Sequence, residues 1–358
     1  MPNSAWTEHR ASAAPLVTAV IPCRNERGQI SRCLESIFAQ DEFPGGFEVI
    51  VADGLSDDGT RAILDEFAGR EQRLRVIDNP GRITACAFNA AIRAARGRYI
   101  ALLGAHARYA PDYLKSCLEV ARATGADNVG GAMTAVGESF LQKAIAMAHH
   151  SAFSVGGARW HNAAYEGRAD TVFGGFYQRS VFERIGLFDE TLVRNQDDEF
   201  NLRLRRAGGQ IWHSPRIRSW YHPRASLRAL FRQYLQYGYW KVRVIRKHRR
   251  PASPRHLVPA AFVAALAFLP AAGIFYAPAL GLWLGLIGFY LCGDLLAAAL
   301  TARRSWKFFL PLAAVFPVYH FGYGIGFVAG LWDFCVRRRA PAQTFTGLTR
   351  SPAPLERA

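Results

Sequence analysis

From Leu257 to Ala302 the chain runs for 46 residues with a single formal charge, Asp294. An α-helix rises about 1.5 Å per residue, so about 20 apolar residues cross a ~30 Å hydrocarbon layer. The stretch is long enough for two spans, near 257–275 and 279–300, and Tyr276-Ala277-Pro278 supplies the turn between them, because proline interrupts a helix. A third apolar stretch runs from Phe308 to Trp332 and contains Pro311 and Pro317.

The flanking charges give an orientation. Residues 216–255 hold twelve Arg or Lys and no acid, Arg303, Arg304 and Lys307 follow the second span, and Arg337, Arg338 and Arg339 follow the third stretch. Basic flanks stay cytoplasmic. A 257–302 hairpin obeys that rule at both ends. A single crossing by the third stretch would carry its triple arginine outside, whereas a re-entrant or interfacial path would not. Two spans are expected and the third stretch is left open. Gly322, Gly326 and Gly330, like Gly281 and Gly285, sit four apart and offer smooth stripes for helix packing within the chain. Asp294 is either functional or exposed at the interface.

Net charge is +16, but residues 1–215 hold 24 Lys and Arg against 25 Asp and Glu, and residues 216–358 hold 20 against 3. A basic rear part suits nucleic acid or an anionic membrane surface. The adjoining spans decide for membrane lipids, and no nucleic acid is expected. Ser226–Arg250 mixes Leu, Phe, Tyr, Trp and Val with eight Arg and Lys, the composition of a helix lying in the membrane interface. Its Arg232, Gln233, Tyr237, Trp240 and Lys241 either anchor the chain there or cap the site and hold a lipid diphosphate. The six cysteines form no CxxC pair and read as reduced thiols facing the cytosol. The first fifteen residues have no apolar core of a cleavable leader.

The front part alternates strand and helix. Leu16–Pro22, Phe47–Ala52, Leu74–Ile77 and Tyr99–Leu103 read as strands, and Ile30–Gln40, Thr60–Arg70 and Ala85–Arg96 as helices, with Gly97 as a stop signal. This order implies an α/β fold with a mostly parallel sheet whose ligands sit at the carboxyl ends of the strands. Neither a P-loop nor GxGxxG comes after the first strand. The strand ends instead carry Pro22-Cys-Arg-Asn-Glu26, Asp53-Gly-Leu-Ser-Asp-Asp-Gly-Thr60 and Gly104-Ala-His-Ala-Arg-Tyr109, with Val193-Arg-Asn-Gln-Asp-Asp-Glu-Phe200 much later.

These segments, in this order, resemble the family 2 inverting glycosyltransferases over roughly residues 16–215. The stretches HARYAPDYL, QDDEFNLRLRRAGG, QYGYWKVRVIRKH and RHLVP are similar to the succinoglycan-biosynthesis-type membrane glucosyltransferases. The resemblance implies a GT-A-type nucleotide-sugar-binding domain. The expected layout is a flexible arm (1–15), the transferase domain (16–222), a basic interfacial segment (223–256), a transmembrane helical region (257–336) and a basic, flexible tail (337–358).

The resemblance also implies roles for single residues. Asp53 would read the uracil of a UDP-sugar; the plainer reading is an Asx-turn. Gly54 stands where many relatives carry a second acid. Asp58 and Thr60 read as turn and cap residues. Pro22, Arg24 and Glu26 would line the nucleotide, with Arg24 reaching a phosphate or simply standing, like Glu26, on a solvated loop. Gly104-Ala105-His106 occupies the place of the family's Asp-x-Asp, which binds a divalent cation and the ribose–diphosphate. His106 would then be a metal ligand or diphosphate contact, with Mn2+ suiting imidazole better than Mg2+, or a packed histidine. Asp197 would be the general base that deprotonates the acceptor; an acidic helix N-terminus is compatible with that. Asp198, Gly174 and Gly175 would lie on the acceptor side, the glycines alternatively forming a tight turn. His149, His150, His161, His213 and His222 show no ligand spacing and read as structural.

The expected enzyme moves a sugar, glucose by the resemblance, from a UDP-sugar to a polyprenyl-diphosphate-linked saccharide at the cytoplasmic face of the inner membrane, for exopolysaccharide or another surface glycan. One alternative is a non-catalytic nucleotide-binding scaffold that gathers other glycan-synthesis proteins; Gly104 favours it, while Asp53 and Asp197 oppose it. The other is a processive synthase, for which the spans are few and Gln233-Tyr-Leu-Gln-Tyr is not QxxRW.

Overall fold

The computed structural model describes residues 14–157, 161–339, 345 and 347. Most of the expected flexible arm and of the 337–358 tail lies outside the described residues.

Four apolar strands build the sheet's first half: β1 (Val17–Cys23), β2 (Phe47–Asp53), β3 (Leu74–Asp78) and β4 (Tyr99–Leu102), all parallel, with helices α1 (Ile30–Phe38), α2 (Thr60–Arg70) and α3 (Thr84–Ala94) between them. Side chains alternate across β1. Val17, Ala19 and Ile21 join one core and Val20 the other, because successive strand residues face opposite sides. Near-continuous apolar strands are what a sheet covered on both faces needs. Gly97 is not a helix stop, since α3 ends at Ala94. A Cβ there would lie 2.5 Å from the Thr18 backbone nitrogen, so glycine allows close approach to β1.

Beyond β4, the short strand β9 (Phe176–Gln178) runs antiparallel to both β4 and β6 (Asn128–Gly130). The full order is β3-β2-β1-β4-β9-β6-β10-β8, with β10 at Ile211–His213 and β8 at Gly167–Arg168. A second sheet, β5 (Ala107–Tyr109), β11 (Ser219–Tyr221) and β7 (Met133–Ala135), stands apart from it. Helices α4 (Tyr113–Thr124), α5 (Phe140–His149), α6 (Ala152–Val155), α7 (Arg179–Ile185) and α8 (Gln196–Arg206) complete the domain.

The rear part has four helices: α9 (Leu227–His248), α10 (Val258–Gly273), α11 (Pro278–Ala302) and α12 (Phe309–Leu331). Three stretches, Pro254–Gly273, Pro278–Ala302 and Trp306–Val336, are long and apolar enough to cross a membrane. The α10–α11 hairpin bares its apolar side chains, with Phe275 at its tip 92% exposed. The third stretch is a continuous helix in spite of its two prolines. Pro311 falls in its first turn, where no backbone N–H needs a partner, and Pro317 is accommodated within it.

α9 also departs from expectation. It does not lay its aromatics on a lipid surface: Trp240 is fully buried against Leu192, Val193 and Phe334. α12 lies along it. Gly322 faces Phe231 and Tyr234, Gly326 faces Leu235, and Gly330 faces Tyr239 and Val242, where a Cβ would collide. Residue numbers rise together on both sides, so the two helices are parallel. The glycine stripe therefore serves packing within the chain. At Gly281 and Gly285 a Cβ would meet nothing within 4 Å. Asp294 is buried, and so is not exposed at an interface.

Candidate active site

The strand ends and the rear helices enclose one cavity of about 630 Å³. Pro22–Glu26 at the end of β1 and Asn79, Arg82, Ile83 and Thr84 after β3 line it, together with Val258 and Pro259 of α10 and Tyr319, His320 and Tyr323 of α12. Gly104–His106, Gly174, Asp197 and Asp198 also line it.

Asp197 and Asp198 open α8, whose N-cap Asn195 is in the left-handed region at φ 60° and is held by donating to the Tyr237 carbonyl at 2.9 Å. A helix N-terminus favours carboxylates. Asp198 pairs with Lys241 of α9, a lysine almost wholly enclosed by protein. Burial opposes ionisation of Asp198, but Lys241 outweighs it and holds the carboxyl below its usual range. Asp197 opens onto the cavity without such a partner. Enclosure by the surrounding protein, then the Asp198 charge beside it, push Asp197 up to about 6. The two acids are thus driven apart: one is fixed as an anion, and the other is a carboxylate that accepts a proton near neutral pH.

His106 Nδ1 lies 3.0 Å from Glu26 Oε1. An ionised carboxylate only accepts, so Nδ1 carries the proton. Glu26 thereby orients the imidazole from behind, as carboxylates do for metal-bound histidines. Among the described residues, no group of three His, Cys, Asp or Glu could hold a metal ion. One imidazole and its orienting carboxylate do not fit a cation held by protein ligands alone. Position 104 has room, with His106 Nε2 and the Tyr109 hydroxyl both 4.0 Å from where a Cβ would stand.

A Cβ at position 54 would lie 3.1 Å from both Cβ and Cδ of Arg24, so a side chain there would press on Arg24. Arg24 Nε is buried with no hydrogen-bond partner among the described residues, on the cavity wall. Asp53 is not on that wall. It is 1% exposed, accepts from the Ser56 hydroxyl at 2.5 Å and lies 3.7 Å from Arg61, the geometry of the plainer turn reading. Asp58 accepts from the Thr60 amide at 3.0 Å at the start of α2, as a turn residue should. Gly174 and Gly175 have φ of +68° and +113°, and a Cβ at Gly174 would meet the Leu102 carbonyl at 2.5 Å. They form a tight turn against β4, and only Gly174 lines the cavity.

Of the five residues singled out in the basic segment, Gln233, Tyr237 and Lys241 reach the cavity, while Arg232 and Trp240 do not. Arg82, Arg194, Arg224 and Arg255 also line it, and none is singled out by the sequence pattern, although Arg194 stands in the Val193–Phe200 segment and Arg255 opens the RHLVP stretch. Among the described residues, six cations face three acids on the wall, Glu26, Asp197 and Asp198. That excess suits a polyanion such as a diphosphate. His149 and His161 are wall residues too, joined to the site only by tertiary folding.

Comparisons with known proteins give the family and the fold. The chain matches the model of "Glycosyl transferase family 2" over residues 18–186. It is 35% identical over 335 residues to the succinoglycan biosynthesis protein ExoA of Rhizobium meliloti, covering 89% of this chain and 96% of that one. A dolichyl N-acetyl-alpha-D-glucosaminyl phosphate 3-beta-D-2,3-diacetamido-2,3-dideoxy-beta-D-glucuronosyltransferase of Methanococcus voltae is 30% identical over 240 residues, 64% of this chain and 74% of its own. In fold, the chain is similar to a mannosyltransferase of Pyrobaculum calidifontis in complex with GDP-Man and Mn2+, with a TM-score of 0.57 and 21% identity over 90% of this chain and 88% of that one.

Proposed function

The chain belongs to the family 2 glycosyltransferases, and from that premise we propose that it moves glucose from UDP-glucose to a polyprenyl-diphosphate-linked saccharide at the cytoplasmic face of the inner membrane, for exopolysaccharide or another surface glycan. One observation carries this reading. A single cavity joins the strand-end loops to the first turns of the apolar hairpin, with Asp197 opening onto it. A water-soluble donor and an acceptor held by the bilayer then reach one carboxylate. The name of the Rhizobium relative places that protein in succinoglycan biosynthesis, and the name of the Methanococcus relative gives it a dolichyl-linked phosphosaccharide. Both support membrane-bound glycan assembly here.

In this reading Asp197 takes the proton from the acceptor hydroxyl as that oxygen attacks the anomeric carbon from the face opposite UDP. The bond to UDP breaks, the diphosphate leaves with the electron pair, and the configuration inverts. A carboxylate raised to about 6 is a stronger base than an ordinary one and is still ionised at neutral pH. Arg24, Arg194 and Arg224 supply positive charge for the departing diphosphate.

For the membrane, we read the α10–α11 hairpin as crossing and α12 as riding along α9. α9 is pinned to the domain at its carboxyl end, Lys247 to Asp189 at 2.6 Å and His248 to Glu199 at 3.0 Å. α12 runs parallel to it, so Arg337–Arg339 come out on the domain's side, as the charge rule asks.

Calorimetric titration of UDP into the detergent-purified protein, with manganese and then with EDTA, tests the donor reading and whether a divalent cation takes part. Silence with UDP, CDP and GDP alike refutes it; binding leads to a turnover panel of UDP-sugars. Cys335 is exposed just past α12, while the other exposed cysteine among the described residues, Cys292, sits within α11. A membrane-impermeant maleimide should label Cys335 in inverted vesicles and spare it in intact cells. The opposite pattern refutes this placement of α12.

A further inference from the structure

α5 is fixed at its start by a reciprocal cap between Ser139 and Gln142 and buries Ala144, Ile145 and Ala148 against Leu312, Val315 and Tyr319 of α12. That packing leaves its last residue, His149, on the cavity wall. His149 is 9% exposed, and its Nε2 is buried with no hydrogen-bond partner among the described residues. Its ring lies 4.7 Å from that of His161 and 6.2 Å from that of Tyr221, and Tyr221 in turn lies 5.5 Å from His106. A row of rings thus leads from His106 to His149. Phe153 of α6 and Tyr319 of α12 are also on the wall.

A buried ring nitrogen with no partner is rare in a folded protein, because folding gives up its bond to water without replacing it. Three uses are open to such an atom at a cavity. A metal site is ruled against, because no third His, Cys, Asp or Glu joins the pair among the described residues. A diphosphate contact is ruled against by charge. Burial, and then His150 beside it, push His149 down to about 3; burial, and then His149, His150 and Arg255, push His161 to about 2. Both rings are neutral at physiological pH, whereas the cations that suit phosphate are the arginines and Lys241. A neutral hydroxyl fits, since imidazole can donate to it or accept from it, and the flanking rings offer the apolar faces of a sugar a wall to lie against.

We propose that His149, backed by His161 and Tyr221, hydrogen-bonds a hydroxyl of the terminal neutral sugar of the acceptor and makes the enzyme selective for that hydroxyl. This rests on the transferase reading above. His149 is a specificity-determining contact and takes no proton in the reaction.

The test uses the full-length protein in lipid nanodiscs, with UDP-glucose as donor and polyprenyl-diphosphate-linked galactose, glucose and N-acetylglucosamine, with their monodeoxy analogues, as acceptors. His149→Gln and His149→Phe should leave the UDP Kd within about twofold, and His149→Phe should raise the acceptor KM about tenfold, the size of one lost neutral hydrogen bond. One deoxy analogue should lose about tenfold with the wild type and nothing further with His149→Phe. His149→Gln, which keeps a donor and an acceptor, should recover part of the loss. If acceptor KM and the deoxy pattern are the same in the wild type and both variants while UDP binding and turnover persist, the subsite is overturned and the transferase reading stands. If the wild type itself neither binds UDP nor turns over, both fall together.

Discussion

Asp197→Asn should lower kcat/KM by about 10² to 10⁴, the usual worth of a positioned general base. It should do so without unfolding the protein, because the amide is nearly isosteric and Asp197 opens onto the cavity. The sharper test is the pH profile. A general base works only when ionised, and Asp197 sits at about 6, so the wild-type rate should be flat near neutrality and fall tenfold per pH unit below about 6. Lys241 sets that position from α9. It neutralises Asp198, and its own charge also favours ionised Asp197. With Lys241→Gln the two carboxylates lose that charge, and the pair takes up its first proton at higher pH. A neighbouring charge moves a carboxylate by about 1 to 3 pKa units. Water in the cavity screens part of that, so the acid limb should move up by about 1 unit, to about 7. Lys241→Arg should hold it near the wild-type position. The assay is transfer of labelled glucose to the lipid acceptor in nanodiscs between about pH 5 and pH 8, with UDP binding followed separately. A wild-type limb near that of an ordinary carboxylate, or one that ignores Lys241→Gln, would refute the coupling. An Asp197→Asn enzyme with more than a tenth of wild-type activity would remove Asp197 from the reaction.

The packing sets three further outcomes. Glu199 is fully buried and bound by Arg203 at 2.9 Å, Lys247 at 2.9 Å and His248 at 3.0 Å. Burial opposes its ionisation, but the Arg203 and Lys247 hydrogen bonds outweigh this and lower its pKa, so its stabilising effect is present above the unfolded pKa and lost as pH falls through the folded one. Glu199→Gln should cost about 2 kcal/mol at neutral pH, allowing for the partly exposed lysine, and the gap should close in denaturant titrations as pH falls through the lowered folded-state pKa. Gly326→Leu places a side chain against the Leu235 backbone. It should cost about 2 kcal/mol of overpacking and lower Tm in detergent, whereas Gly281→Leu on the open hairpin should not. Gly104→Asp has the space it needs. It should fold with unchanged Tm and make UDP binding tighter in manganese than in EDTA by calorimetry, through a carboxylate ligand added beside His106.

The elements legible in the sequence are those whose pattern is local. β1 to β4 and the helices between them fall within a residue or two of the apolar runs that announce them, because a buried parallel strand must be apolar along its length. β9 is three residues long, is antiparallel and carries no run to read. It exists because β4 and β6 both need a hydrogen-bonding neighbour. Asp197 and Asp198 were legible as a site because an acidic cluster opening a basic helix is a chemical pattern as well as a structural one. Their division of labour was not, because it depends on Lys241, 43 residues away, reaching Asp198 and not Asp197.

α9 shows why composition runs out. Six Arg and Lys interleaved with aromatics describe a helix on lipid headgroups equally well as one whose apolar face is claimed by another helix, because both environments ask for an apolar stripe and a basic one. What separates them is the buried polar set Gln233, Gln236 and Lys241. A lipid-facing helix has no reason to bury an amide or an ammonium, whereas a helix that forms the wall of a polar cavity does. The glycine stripe of α12 carries the complementary signal, since small residues four apart in a helix mark where another backbone comes close. Taken together, the two patterns identify α9 and α12 as partners, and the pairing places the arginines after α12 beside the catalytic domain. The outcome at Cys335 therefore tests the helix pairing as directly as it tests the membrane topology.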